Sequence, residues 1–301
     1  MATYRASLSL PTAAEPTQSH TRRSLRAFFR SWVNWIALLI IVIGFLMAIT
    51  PKEWLPHDPT AVNPALRLQP PSLFSGEGDF LLGTDTLGRD ILSRSIYAAR
   101  WTYLVSVSAV VISTVLGTMA GLSAGYFRGW LDTIIARLID MQLAFPIVLL
   151  SIAVLAVSGP SLLNMILVLG LVDWARYARV VRGSALSLRE EDFVDAARAT
   201  GATSWRIMMR HILPNILSSI VVLTTFSTAR LMLTESALSF LGLGVTPPAT
   251  TWGSMIGGGR DYILQAWWIS AIPGTLITLT VLAINLAGDG LRDAFDPRGE
   301  R

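Results

Sequence analysis

Residues 190–214 read EEDFVDAARATGATSWRIMMRHILP, and the arrangement of the rest of the chain follows from this stretch. Ser187 with Glu190 fits a capping box, and Glu190, Glu191 and Asp192 place acids where the positive end of a helix dipole begins. The helix so started runs through Phe193 to Arg198 and meets Gly201, a natural stop. A second short helix is predicted from about Thr203 to His211. Pro214 then opens a long apolar run, where a proline in the first turn is tolerated. Ala196, Ala197, Ala199, Gly201 and Ala202 are small enough to let another surface approach the backbone. The residues alone leave two readings open: an ordinary helical hairpin beside a membrane, or a docking element.

Working outward, the flanking sequence is membrane-like. About 20 apolar residues cross about 30 Å of hydrocarbon. Six runs qualify as candidate spans: 33–50, 101–125, 134–157 with Pro146 as a kink, 162–178, 213–235 and 268–290. Only 15% of residues are charged, against about 25% in soluble domains, because these runs are nearly free of charge. The fold class is therefore an all-α polytopic membrane protein with six transmembrane helices.

Six spans put both termini on one side. Most of the 24 Lys and Arg residues fall in the N-terminal tail (Arg5, Arg22, Arg23, Arg26, Arg30), the 176–212 loop and the C-terminal tail (Arg292, Arg298, Arg301). Positive charge marks the cytoplasm, so both termini are expected there. This placement explains the basic balance without nucleic acid, and membrane lipid is the implied surroundings. Trp267 and Trp268 fit an aromatic belt at the outer end of the last span. The expected organisation is a disordered cytoplasmic tail (1–24), a first transmembrane helix plus an extended external segment (25–100), and a five-helix core (101–290). The core contains the cytoplasmic loop 176–212, and a cytoplasmic tail (291–301) follows. Pro51, Pro56, Pro59, Pro64, Pro70 and Pro71 oppose helix and sheet, hence the extended segment. The glycine-rich, apolar stretch 236–266 suggests partial re-entry shielded by protein.

The catalytic inventory is short. There is no cysteine, and His20, His57 and His211 have no metal-ligand spacing, so neither a metal site nor a cofactor is expected in this chain. The single lysine, Lys52, is followed by Glu53, so a phosphate-binding Walker motif is excluded. No histidine lies mid-span to serve an intramembrane hydrolase, and the chain is not read as an enzyme. A passive channel would need rings of charge or carbonyls that no segment supplies.

Charges near the membrane are the remaining candidates. Arg230 lies within the fifth run and Glu235 at its outer end. Each is either structural or part of a translocation path, Arg230 meeting a carboxylate and Glu235 an amino terminus or a neighbouring subunit. Arg176, Arg179 and Arg182 form one stripe, facing headgroups or holding a gate. The spacing predicts pairs between Arg137 and Asp140 and between Asp173 and Arg176, and helix–helix hydrogen bonds from Asn164 and Asn285.

Asp195-Ala196-Ala197, Gly201 and Leu213-Pro214 resemble the EAA loop of ABC importer permeases. That pattern is Glu-Ala-Ala, three residues, Gly, nine residues, Ile, one residue, Leu-Pro. Here Asp replaces Glu, and His211 stands where Ile is expected, with Ile212 one place later. Gly83-Thr84-Asp85-Thr86-Leu87-Gly88-Arg89-Asp90, Leu238-Ser239-Phe240-Leu241-Gly242-Leu243-Gly244 and Gly288-Asp289-Gly290-Leu291-Arg292-Asp293 look like segments of the dipeptide, oligopeptide and nickel permeases, in the same order. The match is to the second, C-type, membrane subunit. The resemblance implies a type I ABC importer-like transmembrane domain in a bacterial cytoplasmic (inner) membrane. It implies a homologous permease as heterodimer partner, two ATPase subunits carrying ATP and Mg, and an external substrate-binding protein. It also implies alternating access, with Asp195, Ala196, Ala197, Gly201, Leu213 and Pro214 coupling the chain to the ATPase. Di- or oligopeptides are the implied solute. Nickel, glutathione or opine-like solutes are the alternatives, and a non-transporting scaffold is a third reading.

Overall fold

The computed structural model describes residue 29, residues 31–76 and residues 78–295. The tail expected over 1–24 lies outside them, as do residues 296–301 of the expected C-terminal tail. Among the described residues there is no β-strand, only an isolated bridge between Thr84 and Asp90. The principal helices are α1 (Trp32–Ile49), α2 (Ile91–Phe127), α3 (Gly129–Leu143), α4 (Ile147–Ser158) and α5 (Leu162–Leu188). They are followed by α6 (Asp192–Ala199), α7 (Ser204–Phe240), α8 (Trp252–Gly259) and α9 (Trp268–Phe295).

Four of these, α1, α2, α7 and α9, are long and apolar enough to cross a membrane. The bent pair α3 and α4 is together long and apolar enough for a fifth crossing if the two helices form one broken span. The fourth expected span is α5. Its 27 residues exceed the thickness of a bilayer, but it carries Asp173, Arg176 and Arg179. The expected six-helix layout and the observed helices therefore agree in broad outline.

Helices in lipid gain nothing from burying one apolar face against another, so close backbone approach holds them together. The α2–α5 pair shows this most clearly. Gly117, Gly121 and Gly125 form one row on α2. A Cβ at Gly121 would lie 2.7 Å from Ala178 O and 2.8 Å from Val181 Cβ, and one at Gly125 would lie 2.6 Å from Ala185 Cβ. Backbone cannot yield there. Gly121→Leu is expected to cost about 1–3 kcal/mol through overpacking and to reduce the yield of monodisperse protein. Gly183→Leu, where nothing lies within 4 Å of the added Cβ, is the control. Equal yields of the two variants would mean the glycine row does not hold the pair.

Several expected boundaries move, each for a local reason. α2 begins at Ile91, ten residues before the expected span, because Asp90 caps it. The Asp90 carboxylate accepts from Leu92 N at 3.3 Å, Ser93 N at 3.0 Å and Ser93 Oγ at 2.6 Å. Residues 91–100 are thus helical rather than extended. The segment before them is a chain of tight turns tied to the bundle. Asp85 accepts from the backbone of Leu87 and Arg89 and from the Arg89 and Arg94 guanidinium groups. Trp268 Nε1 donates to Thr84 O at 3.1 Å. Nearer α1, Asp58 is held at about 2 by the Thr60 hydroxyl and N–H and by Lys52.

At Pro146 the structure has a break and not a kink: α3 and α4 meet at 89°. Proline has no N–H to donate and disfavours helical backbone in Phe145 before it. The capping box predicted from Ser187 and Glu190 does not form, because α5 continues through Ser187 to Leu188. α6 starts instead from Glu191, with Asp192 and Asp195 in its first turn. Pro214 stands in the first turn of the regular α-helical stretch Leu213–Phe240, as its sequence position predicts, but that stretch is not a fresh start. α7 is already running from Ser204, and a π-helical turn, Met208–Ile212, precedes the proline. The wider turn absorbs the missing N–H, and Asn215 Nδ2 donates to His211 O at 2.6 Å.

The stretch 236–266 folds onto the bundle end through α8. Trp252 is fully buried, its Nε1 donates to Ser95 O at 2.8 Å, and its backbone N donates to Thr102 Oγ1 at 3.1 Å.

Candidate functional site

The end of the bundle that carries α6 is built around its own apolar cluster. Val194 and Ala197 of α6 pack with Leu122 and Tyr126 of α2, Val181 and Ala185 of α5, and Ile207 and Met208 of α7. This follows from the sequence, since Val194 and Ala197 are three apart and share one helix face. The opposite face, with Phe193, Asp195, Ala196 and Ala199, is exposed. Gly201 sits at φ +78, a left-handed conformation that turns the chain between α6 and α7. Exposed Trp205 and Pro214 lie beyond it, while Leu213 is half-buried against the cluster.

Of the six residues expected to couple, then, Asp195, Ala196 and Gly201 present outward and Ala197 faces home. Tyr126 fastens the short helix to the bundle. The Arg198 guanidinium lies 5.6 Å and that of Arg189 6.0 Å from its ring centre, and Arg189 also donates to Tyr126 O. Arg128 pairs with Glu190 at 2.6 Å. These contacts anchor the short helix to α2 and α5.

The arginine stripe of α5 is used inside the chain. Arg179 donates to Asp140 at 2.7 Å and Arg182 to Asp132 at 2.8 Å, fastening α5 to α3. Asp140 therefore serves Arg179, not Arg137 as its spacing suggested. Asn164 donates to Ser158 O at 2.8 Å and closes the end of α4.

The Arg230 guanidinium is ion-paired. Its Nη2 donates to the two carboxylate oxygens of Asp173 at 2.7 and 2.8 Å and to Ser227 Oγ at 2.9 Å. α7 continues to Phe240, so Arg230 lies about 15 Å from that end rather than near it. The partner across the helix gap could not be read from spacing. Sequence suggested Arg176 for Asp173, and that contact exists only at 3.7 Å.

Glu235 is fully buried. It accepts from Ser239 Oγ at 2.6 Å and Ser236 Oγ at 3.3 Å. Thr251, which caps α8, lies close by, so Glu235 sits where α7 meets α8 and offers no exposed atom to a solute.

The chain matches the family model described as binding-protein-dependent transport system inner membrane component over residues 113–301. It is 43% identical over 263 residues to the di/tripeptide transport system permease DppC of Pseudomonas aeruginosa, covering 87% of this chain and 86% of that protein. It is 39% identical over 293 residues to the dipeptide transport system permease DppC of Alkalihalophilus pseudofirmus, covering 96% and 95%. It is 37% identical over 287 residues to the glutathione transport system permease GsiD of Pectobacterium atrosepticum, covering 94% and 91%. A solved structure of the MetNI methionine ABC transporter in an inward-facing conformation superposes with a TM-score of 0.54 at 20% identity. That match covers 65% of this chain and 94% of the solved chain.

Proposed function

Because this chain belongs to the binding-protein-dependent transport system inner membrane component family, we propose that it is the C-type permease of an importer that moves di- or oligopeptides by alternating access. The observation that carries the coupling half of this reading is the two-sided α6. Val194 and Ala197 lock it to the bundle, while Phe193, Asp195 and Ala196 face outward beside the turn at Gly201. A rigid helix with one anchored face and one free face transmits a push from an ATPase groove into α2 and α5. ATP and Mg are then the business of two partner ATPase subunits, and the chain itself supplies no catalytic group.

A homologous permease completes the pathway in this reading, and an external binding protein delivers the solute. In this reading the chain lies in a bacterial inner membrane, and its arginine-rich ends support both termini being on the cytoplasmic side. Peptide is the preferred cargo because relatives 43% and 39% identical over 87% and 96% of the chain carry that name, and glutathione, in the name of a further relative, is itself a tripeptide. Arg230 is assigned to the wall of the translocation path, with Asp173 holding its charge.

The test is to purify the chain with its candidate permease and ATPase partners, reconstitute the complex in lipid, and add peptide-loaded binding protein. ATPase activity is expected to rise and labelled dipeptide to accumulate in the vesicles. A chain that neither co-purifies with an ATPase nor alters its activity would return the scaffold reading.

A further inference from the structure

Three charged groups meet between α5 and α7, and only two of them cancel. Asp173 has no exposed side-chain surface, and both of its oxygens are held by Arg230 Nη2. Arg176 Nε lies 3.7 Å from Asp173, and its guanidinium makes no hydrogen bond among the described residues. Two cations against one carboxylate leave one net positive charge, roughly 20 Å from either end of α5.

That charge borders a cavity of about 290 Å³ at the break between α3 and α4. Gln142, Phe145, Pro146, Val172 and Arg176 are among its walls, and no lining residue is acidic. The nearest acid along α3, Asp140, is engaged by Arg179 at 2.7 Å, and α4 carries no titratable residue. Gln142 is also occupied. Its Nε2 donates to Leu171 O at 2.9 Å and Val172 O at 2.8 Å, and its Oε1 accepts from Trp174 Nε1 at 2.7 Å. The cavity thus offers a half-exposed guanidinium whose internal ion pair, to Asp173 at 3.7 Å, is long and shared with Arg230.

We propose that Arg176, at this cavity, is where the subunit reads the free carboxylate of a passing solute, with the Asp173–Arg230 pair beside it as a fixed, internally neutral support. A single net charge suits a monoanion, and a guanidinium fork matches carboxylate geometry. The volume sits at the lower edge of ligand sites, about 300–1,000 Å³, so it suits the end of a peptide rather than the whole of one. The inference rests on the importer reading above, and it shifts recognition from Arg230, whose charge Asp173 already neutralises, to Arg176.

The experiment uses the reconstituted complex with saturating binding protein and two probes, a tripeptide with a free C-terminus and its C-terminal amide. Uptake of each is compared between the unaltered complex and the Arg176→Gln and Arg176→Lys variants. Comparing ratios between complexes cancels the binding protein's own preference. Arg176→Gln is expected to lower free-acid uptake at least about tenfold, the scale of one lost charged hydrogen bond. It should leave amide uptake within about twofold, and Arg176→Lys should recover part of the loss. Equal effects on both probes, or no effect on either, overturn the proposal. Loss of the partner permease from the Arg176→Gln complex also overturns it, because Arg176 would then be an intersubunit contact. If the unaltered complex transports neither probe, the peptide reading itself fails, and this inference falls with it.

Discussion

Ala196→Arg is expected to reduce transport below about one tenth of normal while leaving the chain folded. Ala196 lies on the exposed face of α6, and the face beneath it is fixed by Val194 and Ala197. A long charged side chain there projects from a surface that, in the proposed assembly, fits a groove, and disrupting a hot spot at the centre of an interface costs about 2 kcal/mol or more. The chain's own packing is untouched. Ala197→Arg separates the two roles. It drives a charge into the cluster of Leu122, Val181, Ala185 and Met208, and should lose folded protein before any question of coupling arises. Co-purification with the ATPase subunits and uptake in vesicles read the first variant, and size-exclusion profiles read the second. If Ala196→Arg keeps both ATPase binding and uptake, α6 is not the docking element.

Asp173→Leu should be the most damaging single substitution for folding. It strips Arg230 of both carboxylate contacts, leaving Ser227 as the remaining bonded partner. A lone arginine at the centre of a span costs about 2.5–3.5 kcal/mol on insertion scales. Breaking a buried pair from one side typically costs about 3–5 kcal/mol. The second substitution makes the prediction specific. In Asp173→Leu with Arg230→Leu the orphaned charge is gone, and an apolar pair of similar bulk is often as stable as the ion pair it replaces. Membrane-inserted, monodisperse protein should therefore return in the double variant. If the single variant is as abundant as the unaltered protein, the pair is not what holds α5 to α7. If the double variant stays as poor as the single, Asp173 stabilises the fold by something other than neutralising Arg230.

The behaviour of Glu235 fits the same logic from the other direction. A buried carboxyl group is retained there because the Ser236 and Ser239 hydroxyls donate to it, with Thr251 close by. Ser236 and Ser239 are local to Glu235, one and four residues along the same helix. Their convergence with a cap residue of α8 was not legible in the sequence, because Thr251 comes close to Glu235 only after the chain has turned at Gly242 and come back.

What the sequence by itself determined is whatever depends on local composition and period. Long uncharged runs made the chain a helical membrane protein. The acids after Leu188, the small residues up to Gly201 and the Leu213-Pro214 pair marked the short helix and its turn. Those signals act over one to three helical turns, so they survive without knowledge of the fold. The tertiary structure decided everything that joins residues far apart in the chain. Asp173 finds Arg230 57 positions away, Asp140 finds Arg179 39 positions away, and Gly121 finds its reason in Ala178 on another helix. It also decided which alanine of the Asp195-Ala196-Ala197 run faces out, because helix period fixes the angle between two neighbours but not which of them meets the core. In a bilayer, apolar faces are interchangeable, so the register between spans is set by charge pairs and small residues. Their partners are defined only once the helices are side by side.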